Sequence, residues 1–187
     1  MIPRMHKDGF GSTLRKYARA VGPGNAIVEV GSWMGASAQF LAEAAGYMTE
    51  LHLYDRWRAN SSEVMKLKGW GVEAQIGEDL LPFCKKNVEG YGTPVHFHRG
   101  DIREAKYNGK MPIGLYVDDA SKNNLEKVLK NFEPYFVPGC VLILCDYFYL
   151  PCERQRTYVE NRQGWELLAR DEHDSNAAIW RIRGGTQ

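Results

Sequence analysis

The sequence lacks a long apolar run and an excess of charge of either sign. Its longest apolar run, residues 140–145, is far too short to span a bilayer. The 24 basic and 23 acidic residues are interspersed and leave a net charge of +1, which predicts neither a nucleic-acid partner nor a membrane surface. The first twenty residues contain basic side chains but no apolar core, which argues against a secretory signal.

Paired cysteines are also missing. Cys84, Cys140, Cys145 and Cys152 form no C-x-x-C motif, and two of them lie in the apolar run. This favours buried, reduced thiols in a cytoplasmic protein over disulfides or zinc ligands. The 187 residues, 44% of them apolar, carry no internal repeat and predict a single domain, 1–187, in which residues 1–24 form a leading helix and turn.

Residues 26–37, AIVEVGSWMGAS, combine a short buried strand, a glycine turn and the start of a helix. The first-turn N–H groups of such a helix favour an anion. A dinucleotide site has the spacing G-x-G-x-x-G, whereas Trp33 and Met34 stand here between Gly31 and Gly35. A pyrophosphate is therefore disfavoured, and two alternatives remain: a single carboxylate, or a turn that binds nothing.

The rest of the chain alternates between strand and helix periodicity. Helices are predicted over residues 12–20, 36–45, 73–88 and 153–163. A further helix is predicted to begin at the capping pair Asn123 and Glu126 and to extend through Phe136. Strands are predicted over residues 26–30, 51–54, 95–99, 113–117, 140–145, 165–170 and 177–183. Such alternation predicts an α/β fold with a doubly wound, mostly parallel seven-stranded sheet and a C-terminal antiparallel hairpin.

Acidic residues follow four successive parallel strands. They are Asp55, Asp101, the pair Asp118 and Asp119, and Asp146. One aspartate in such a place is usually a helix cap or turn former. Four strand ends meet at one edge of a parallel sheet, however, and ligands bind in the crevice at that edge. We therefore expect these carboxylates to converge above the glycine turn.

The motifs EVGSWMGAS, LYDRW, HRGD, YVDDASKNN and VPGCVLILCDY, with the closing hairpin, resemble the class I S-adenosylmethionine-dependent methyltransferases. The nearer resemblance is to small-molecule O-methyltransferases of the macrocin and caffeoyl-coenzyme-A type, and it extends over residues 26–183. It implies a Rossmann-like methyltransferase fold and S-adenosylmethionine as the cofactor. The residues it implies as cofactor-binding are Glu29, Gly31, Ser32, Gly35, Ser37, Asp55, Arg56, Gly100, Asp101 and Asp118.

Within that set the resemblance implies distinct roles. Asp55 accepts the ribose hydroxyls, Asp101 accepts from the adenine amino group, and backbone N–H groups near Ser37 hold the methionine carboxylate. Metal-dependent relatives hold Mg²⁺ or Ca²⁺ with acids after strands four and five, here Asp118 and Asp146. The second acid of the strand-five pair is missing, so both a metal-assisted and a metal-free site remain open.

The candidate catalytic residues are Asp118, Asp119, Lys122 and His98. Asp119 or His98 is a possible general base, and Lys122 can orient a substrate oxygen. The ordinary alternatives are a packed or exposed histidine on a strand and a solvated lysine at a helix start.

Residues 56–72 form a long polar connection with Trp57 and Trp70 near its ends, which predicts a lid on the ligand side of the sheet. Trp57 and Trp33 can stack on a substrate ring or simply cover the sheet end. The favoured function is methyl transfer to a hydroxyl of a small molecule, a sugar or a phenolic natural product, by a possible homodimer. The alternatives are a catalytically silent binding subunit and a nucleotide-cofactor oxidoreductase.

Overall fold

The computed structural model describes residues 9–170 and 176–183. Within these ranges one sheet is flanked by helices. The helices are α1 (Phe10–Arg19), α2 (Ala36–Ala44), α3 (Ser61–Gly69), α4 (Leu81–Val88), α5 (Leu125–Leu129) and α6 (Glu153–Glu160). The strands are β1 (Ala26–Val30), β2 (Glu50–Asp55), β3 (Val95–Arg99), β4 (Ile113–Asp118), β5 (Phe136–Leu144), β6 (Trp165–Arg170) and β7 (Ala178–Ile182).

The seven strands lie in the order β3-β2-β1-β4-β5-β7-β6. Strands β1 to β5 are parallel, and β7 runs antiparallel between β5 and β6. Val30, the last residue of β1, is in register with Tyr54 of β2 and with Asp118 of β4. The ends of β1, β2 and β4 therefore lie side by side, and the predicted doubly wound sheet with its closing hairpin is confirmed.

Strand β1 is buried on both faces, as its apolar run predicts. Ile27 belongs to the apolar cluster that α1, α2 and α4 cover, whereas Val28 belongs to the cluster covered by α5 and α6. Because successive side chains of a strand point to opposite faces, one short apolar run supports both layers.

The single helix predicted over residues 73–88 is wrong in its first half. Only α4 is helical, and Ile76, expected on the buried face, is 71% exposed. Gly77 has φ +85°, which a right-handed helix cannot include, and Pro82 occupies the first turn of α4, where proline is tolerated. The segment before α4 is instead tied by a β-bridge between Arg58 and Asp79.

Three further predicted boundaries differ from the structure: α5 ends at Leu129 rather than at Phe136, and the starts of α5 and β5 differ as well. The chain enters α5 through a short 3₁₀ turn, Lys122–Asn124, and no side chain caps α5, so the capping pair Asn123 and Glu126 is wrong. Strand β5 begins at Phe136 rather than at residue 140. Phe136 is in register with Ile113 and Val141 with Leu115, so the extra residues of β5 form an irregularity inside the strand, not a turn before it.

The remaining predicted elements agree with the structure to within three residues at each end. Most of the loop between β6 and β7, residues 171–175, lies outside the described residues. Among the described helices none combines the length and the apolar character that a membrane crossing requires.

Candidate active site

The glycine bend after β1 is packed against the chain that leaves β4. Gly31 has φ +95°, and a Cβ added there would lie 2.8 Å from the Cβ of Ala120 and 3.1 Å from its backbone nitrogen. Only glycine combines this backbone conformation with this close approach. The contact brings the β1–α2 turn beside the acids that end β4.

The start of α2 faces the same region. Its N-cap is Gly35, with φ +84°, so no side chain caps the first turn, which contains Ser37. A Cβ on Gly35 would lie 3.0 Å from Cys84 Sγ, so the close approach of α4 favours glycine at this position. The hydroxyl of Ser32 is buried and has no hydrogen-bond partner among the described residues. A buried polar atom of this kind is suited to a ligand that supplies the missing partner.

Asp55, at the end of β2, connects two strained backbone positions. Its Oδ2 accepts from the backbone N–H of Trp33 at 2.9 Å, and its Oδ1 accepts from that of Trp57 at 2.7 Å. Both tryptophans have positive φ, +43° and +45°, which is costly for a large side chain. Burial raises the pKa of Asp55, while the two N–H donors act in the opposite direction. Each oxygen keeps a lone pair for a further donor.

A cavity of about 450 Å³ lies above the ends of β2, β3 and β4. It is lined by Asp55, Arg56, Glu63, Gly100, Asp101, Ile102, Arg103, Ala120 and Asn124. Four of the predicted cofactor-binding residues, Asp55, Arg56, Gly100 and Asp101, thus share one cavity. Its volume is in the usual range for small-molecule sites.

Asp101 is held by its neighbour Arg103. The Arg103 guanidinium forms an ion pair with the carboxylate, and the backbone N–H of Arg103 donates to Oδ1 at 2.9 Å. Hydrogen bonding to the Arg103 side chain, and then to its backbone, lowers the pKa of Asp101 to about 2. The carboxylate therefore stays ionised and available as an acceptor at any pH at which the protein is handled.

Asp118, at the end of β4, is buried and directed inward. Its Oδ1 accepts from the backbone N–H of Ser121 at 2.8 Å and of Ala120 at 3.2 Å. Its Oδ2 accepts from the hydroxyls of Ser121 at 2.6 Å and Tyr116 at 3.1 Å. Burial raises the pKa of Asp118, and the Ser121 donors oppose the shift. These bonds fix the turn that carries Asp119.

Lys122 links the ends of β4 and β5. Its Nζ lies 3.0 Å from Asp119 Oδ1 and 2.6 Å from Asp146 Oδ2. Burial lowers the pKa of Lys122, but the two carboxylates together outweigh that effect and raise it above its usual value. The ammonium is therefore a fixed positive charge between two acids, and Lys122 is a hydrogen-bond donor rather than a base.

Two predicted site residues lie away from these groups. The ring of His98 stacks on Tyr54 with centroids 4.2 Å apart, and its Nε2 lies 3.0 Å from His52 Nδ1. Burial, followed by the neighbouring His52, lowers the pKa of His98 to about 4, too low for an effective base at neutral pH. Glu29 is buried within β1 and is not among the residues that line the cavity.

The sequence of the predicted lid allows a short helix from Ser62, and the structure has α3 over Ser61–Gly69. Asn60 and Glu63 form a capping box at the start of α3, and Arg56 bonds to Glu63 beside the cavity. Trp57 is fully buried, so it covers the sheet end and cannot stack on a substrate. Trp70 is 44% exposed, and its ring centroid is 6.0 Å from that of Trp33.

Several residues that shape the site were not foreseen from the sequence. Ser121 fixes Asp118, Arg103 holds Asp101, and Glu63 and Asn124 line the cavity. The Asn60-x-x-Glu63 spacing before α3 is a signal that identifies Glu63 as part of a capping box. The other three, Ser121, Arg103 and Asn124, lie three to six residues after the end of a strand, and the direction of their side chains depends on the geometry of the turn.

Taken together, a glycine bend, an uncapped helix start and acids on adjacent strand ends define an α/β protein with a candidate small-molecule site at the carboxyl ends of its parallel strands. The family model described as a methyltransferase domain matches residues 28–147. The chain belongs to this methyltransferase family, and the predicted class is confirmed. A search of the curated proteins found no matching relative.

Solved structures with the same fold cover nearly the whole chain. A methyltransferase from Geobacter sulfurreducens is 15% identical with a TM-score of 0.68, covering 97% of this chain and 82% of that one. The O-methyltransferase TomG from Streptomyces achromogenes, involved in tomaymycin synthesis and solved with SAM, is 16% identical with a TM-score of 0.63, at 96% and 81% coverage. An O-methyltransferase from Bacillus cereus in complex with SAH is 15% identical with a TM-score of 0.64, at 97% and 84% coverage. Identities this low show the shared fold.

Proposed function

We propose that this methyltransferase transfers a methyl group from S-adenosylmethionine to a hydroxyl of a small molecule. The observation that carries the proposal is the cavity at the ends of β2, β3 and β4, which adjoins the glycine bend and is lined by Asp55 and Asp101. Two of the structural neighbours, TomG and the Bacillus cereus enzyme, are O-methyltransferases solved with SAM or SAH.

The residues of the cavity fit an adenosyl ligand. Asp55 has acceptor capacity left for the ribose hydroxyls, and the ionised Asp101 can accept from the adenine amino group beside Gly100. The uncapped first turn of α2, with Ser37, offers N–H donors to the methionine carboxylate. The unpartnered hydroxyl of Ser32 would donate to the same end of the ligand.

The predicted Mg²⁺ or Ca²⁺ site does not fit the residues at the strand ends. Such a cation requires six or more oxygen ligands. Both oxygens of Asp118 are already used by donors of the protein, and Oδ2 of Asp146 is bound by the Lys122 ammonium. A positive charge in that position repels a second cation, so we derive no step through a metal.

The methyl transfer then depends on positioning and on removal of the acceptor proton. The bound cofactor supplies an electrophilic methyl group on a sulfonium. In our proposal the Lys122 ammonium donates a hydrogen bond to the acceptor oxygen and stabilises its developing negative charge. The neighbouring Asp119 carboxylate would accept the hydroxyl proton as the acceptor oxygen gains the methyl group, and the carbon–sulfur bond that breaks would leave S-adenosylhomocysteine.

A phenol or a sugar hydroxyl is the acceptor class that we propose. A carboxylate base is better matched to a phenol, whose pKa is about 10, than to an aliphatic alcohol. Trp33 is buried, but the half-exposed Trp70 that packs against it in residues 56–72 is a ring on which an acceptor could stack. Residues 56–72 are proposed as the lid over that acceptor.

Location and assembly belong to the same proposal. All four cysteines are free and buried, which suits a reducing compartment, and we place the protein in the cytoplasm. The homodimer stays a prediction, to be measured by size-exclusion chromatography with light scattering. No nucleic-acid partner is proposed because acidic and basic residues balance.

Calorimetry with S-adenosylhomocysteine and, separately, NADH tests the cofactor. Heat with the first ligand alone supports the proposal, while heat with NADH alone favours the oxidoreductase alternative. A screen of phenols and sugars with labelled S-adenosylmethionine then tests catalysis. Binding of the adenosyl ligand without transfer to any acceptor would favour the catalytically silent alternative.

A further inference from the structure

Three side chains with metal-binding groups meet at the end of the sheet opposite the proposed active site. Glu50 is the first residue of β2, His52 follows on the same face, and His96 lies beside His52 in the register with β3. Their ligand atoms all lie within 4.8 Å of one another. We propose that Glu50, His52 and His96 form a binding site for a transition-metal ion, with Zn²⁺ as the preferred occupant.

The distances are close to those of a bound site. Glu50 Oε2 lies 3.2 Å from His52 Nε2 and 3.8 Å from His96 Nε2. A tetrahedral Zn²⁺ ion with ligands at about 2.1 Å places those ligands roughly 3.4 Å apart. The two imidazoles are stacked at 4.6 Å with 20° between their planes, so binding requires His96 to tilt. His96 is on the edge strand β3, and its side chain is 45% exposed, which leaves room for this movement.

The chemistry of the donors selects the metal. Imidazole nitrogens suit Zn²⁺, Cu²⁺ and Ni²⁺, whereas Mg²⁺ and Ca²⁺ prefer oxygen ligands throughout. Two histidines and one glutamate leave a fourth position for water in a tetrahedral site. Among the described residues, none of the buried cysteines belongs to a second cluster of three possible metal ligands.

The ring nitrogen of His52 that would not bind the metal also has a hydrogen-bond partner, as is usual for metal-binding histidines. Its Nδ1 lies 3.0 Å from His98 Nε2, so one ring nitrogen can donate to His98 while the other faces Glu50. Tyr107 packs edge-on against the His52 ring at 5.2 Å. His98 is therefore proposed as a positioning residue that acts through His52.

The site is separate from the proposed methyl-transfer chemistry. Glu50 begins β2 and Asp55 ends it, and five residues of strand span roughly 17 Å. A metal held here would join β2 to the edge strand β3 and stabilise the folded protein in proportion to its occupancy. The metal would have a structural role. Whether or not Zn²⁺ binds therefore does not affect the cofactor proposal.

Zinc binding can be measured on the purified, metal-stripped protein by calorimetry. We expect one Zn²⁺ per chain with a dissociation constant of about 1 μM or tighter, and a rise in the thermal midpoint of roughly 5–10 °C at a hundredfold excess over that constant. Co²⁺ provides an independent readout, because a tetrahedral Co²⁺ site has an intense visible absorption. An absence of stoichiometric Zn²⁺ binding would overturn the proposal.

Variants locate the ion. Glu50→Gln and His96→Gln should each weaken Zn²⁺ binding at least a hundredfold and abolish the tetrahedral Co²⁺ spectrum. His98→Gln should keep one ion per chain but weaken binding 10- to 100-fold. Asp146→Asn, at the other end of the sheet, is the matched control and should bind Zn²⁺ as wild type does.

Circular dichroism and S-adenosylhomocysteine calorimetry on the same samples confirm that each variant is folded. If Glu50→Gln does not fold, His96→Gln decides alone, since its side chain is on the exposed edge. Wild-type Zn²⁺ affinity in a folded His96→Gln protein would refute the site. Loss of Zn²⁺ binding in Asp146→Asn would place the ion at the active site instead and refute it equally.

Discussion

Lys122 Nζ lies 2.6 Å from Asp146 Oδ2, and this ion pair joins the ends of β4 and β5. The same ammonium lies 3.0 Å from Asp119 Oδ1. The place where metal-dependent relatives are expected to hold a cation thus has a positive charge supplied by the chain itself. The proposed chemistry follows from this arrangement, and several measurements test it.

Replacing Lys122 by Gln should lower kcat for methyl transfer about 100-fold or more, because a donor to the developing charge is lost. The neutral side chain also leaves Asp119 and Asp146 without their shared cation. Affinity for S-adenosylhomocysteine should change less than threefold, since Lys122 does not line the cofactor cavity. Lys130→Gln, which removes the exposed lysine at the C-cap of α5, is the control; equal kcat in both variants would exclude the role of Lys122.

Methyl transfer by the wild-type protein should be insensitive to chelators. Initial rates in about 5 mM EDTA should match initial rates in added Mg²⁺. That EDTA concentration is about a thousandfold above trace divalent ions. The reason is that carboxylate oxygens of Asp118 and Asp146 are used by protein donors. The measurement is a steady-state assay on protein stripped of metal. A rate that requires Mg²⁺ would show that Lys122 leaves Asp146 in solution.

Replacing Asp55 by Ala should lower both ligand affinity and stability. The buried N–H groups of Trp33 and Trp57 lose their acceptor, and two bonds to a charged group correspond to about 3–6 kcal/mol of unfolding free energy. Chemical denaturation measures that loss, and calorimetry should show S-adenosylhomocysteine binding weakened at least tenfold.

Asp55→Asn is the informative companion, because its amide retains one acceptor oxygen. It should recover part of the stability while the affinity for the adenosyl ligand stays low. Unchanged affinity in both variants would remove Asp55 from the cofactor site.

Replacing Gly31 by Ala should destabilise the fold by about 2–4 kcal/mol, since the positive φ and the contact with Ala120 both oppose a Cβ. Gly24→Ala separates the two causes. Gly24 has φ +78° but no atom within 4 Å of an added Cβ, so its cost should be only about 1–2 kcal/mol. Equal losses, measured by urea denaturation, would mean that the contact with Ala120 contributes nothing.

The carboxyl of Asp101 offers a test by pH. Its pKa of about 2 is below the ordinary value of 3.8, so the interaction stabilises the protein above that value and is lost as pH falls toward 2. Arg103→Ala should return the pKa toward 3.8, as measured by carboxyl ¹³C NMR titration. Glu104→Ala, in the same 3₁₀ turn, should leave the pKa of Asp101 low.

The sequence predicted most of the sheet because its strands carry a strong local signal. The apolar run of β1 and the glycines after it sufficed for the strand, the turn and the start of α2. The long helix over residues 73–88 was wrong because Ile76, Leu80 and Cys84 have helical spacing although Gly77 and Pro82 interrupt the backbone. Periodicity shows only which side chains would share a face if the segment were helical. It does not reveal that a single glycine adopts a positive φ and ends the helix.

Composition and local pattern determined, without the structure, an α/β chain whose strand-end acids gather at one edge of the sheet. Which of those acids are available was decided only by the folded geometry, through turn bonds at Asp118 and a long-range ion pair at Asp146. Asp118 is directed inward by Ser121 and Tyr116, and Asp146 is bound by Lys122, 24 residues away in the chain. The meeting of Glu50 and His52 with His96 likewise depends on the register of two strands more than forty residues apart. A side chain's partners are set by the free energy of packing the whole chain, to which its sequence neighbours contribute only a part.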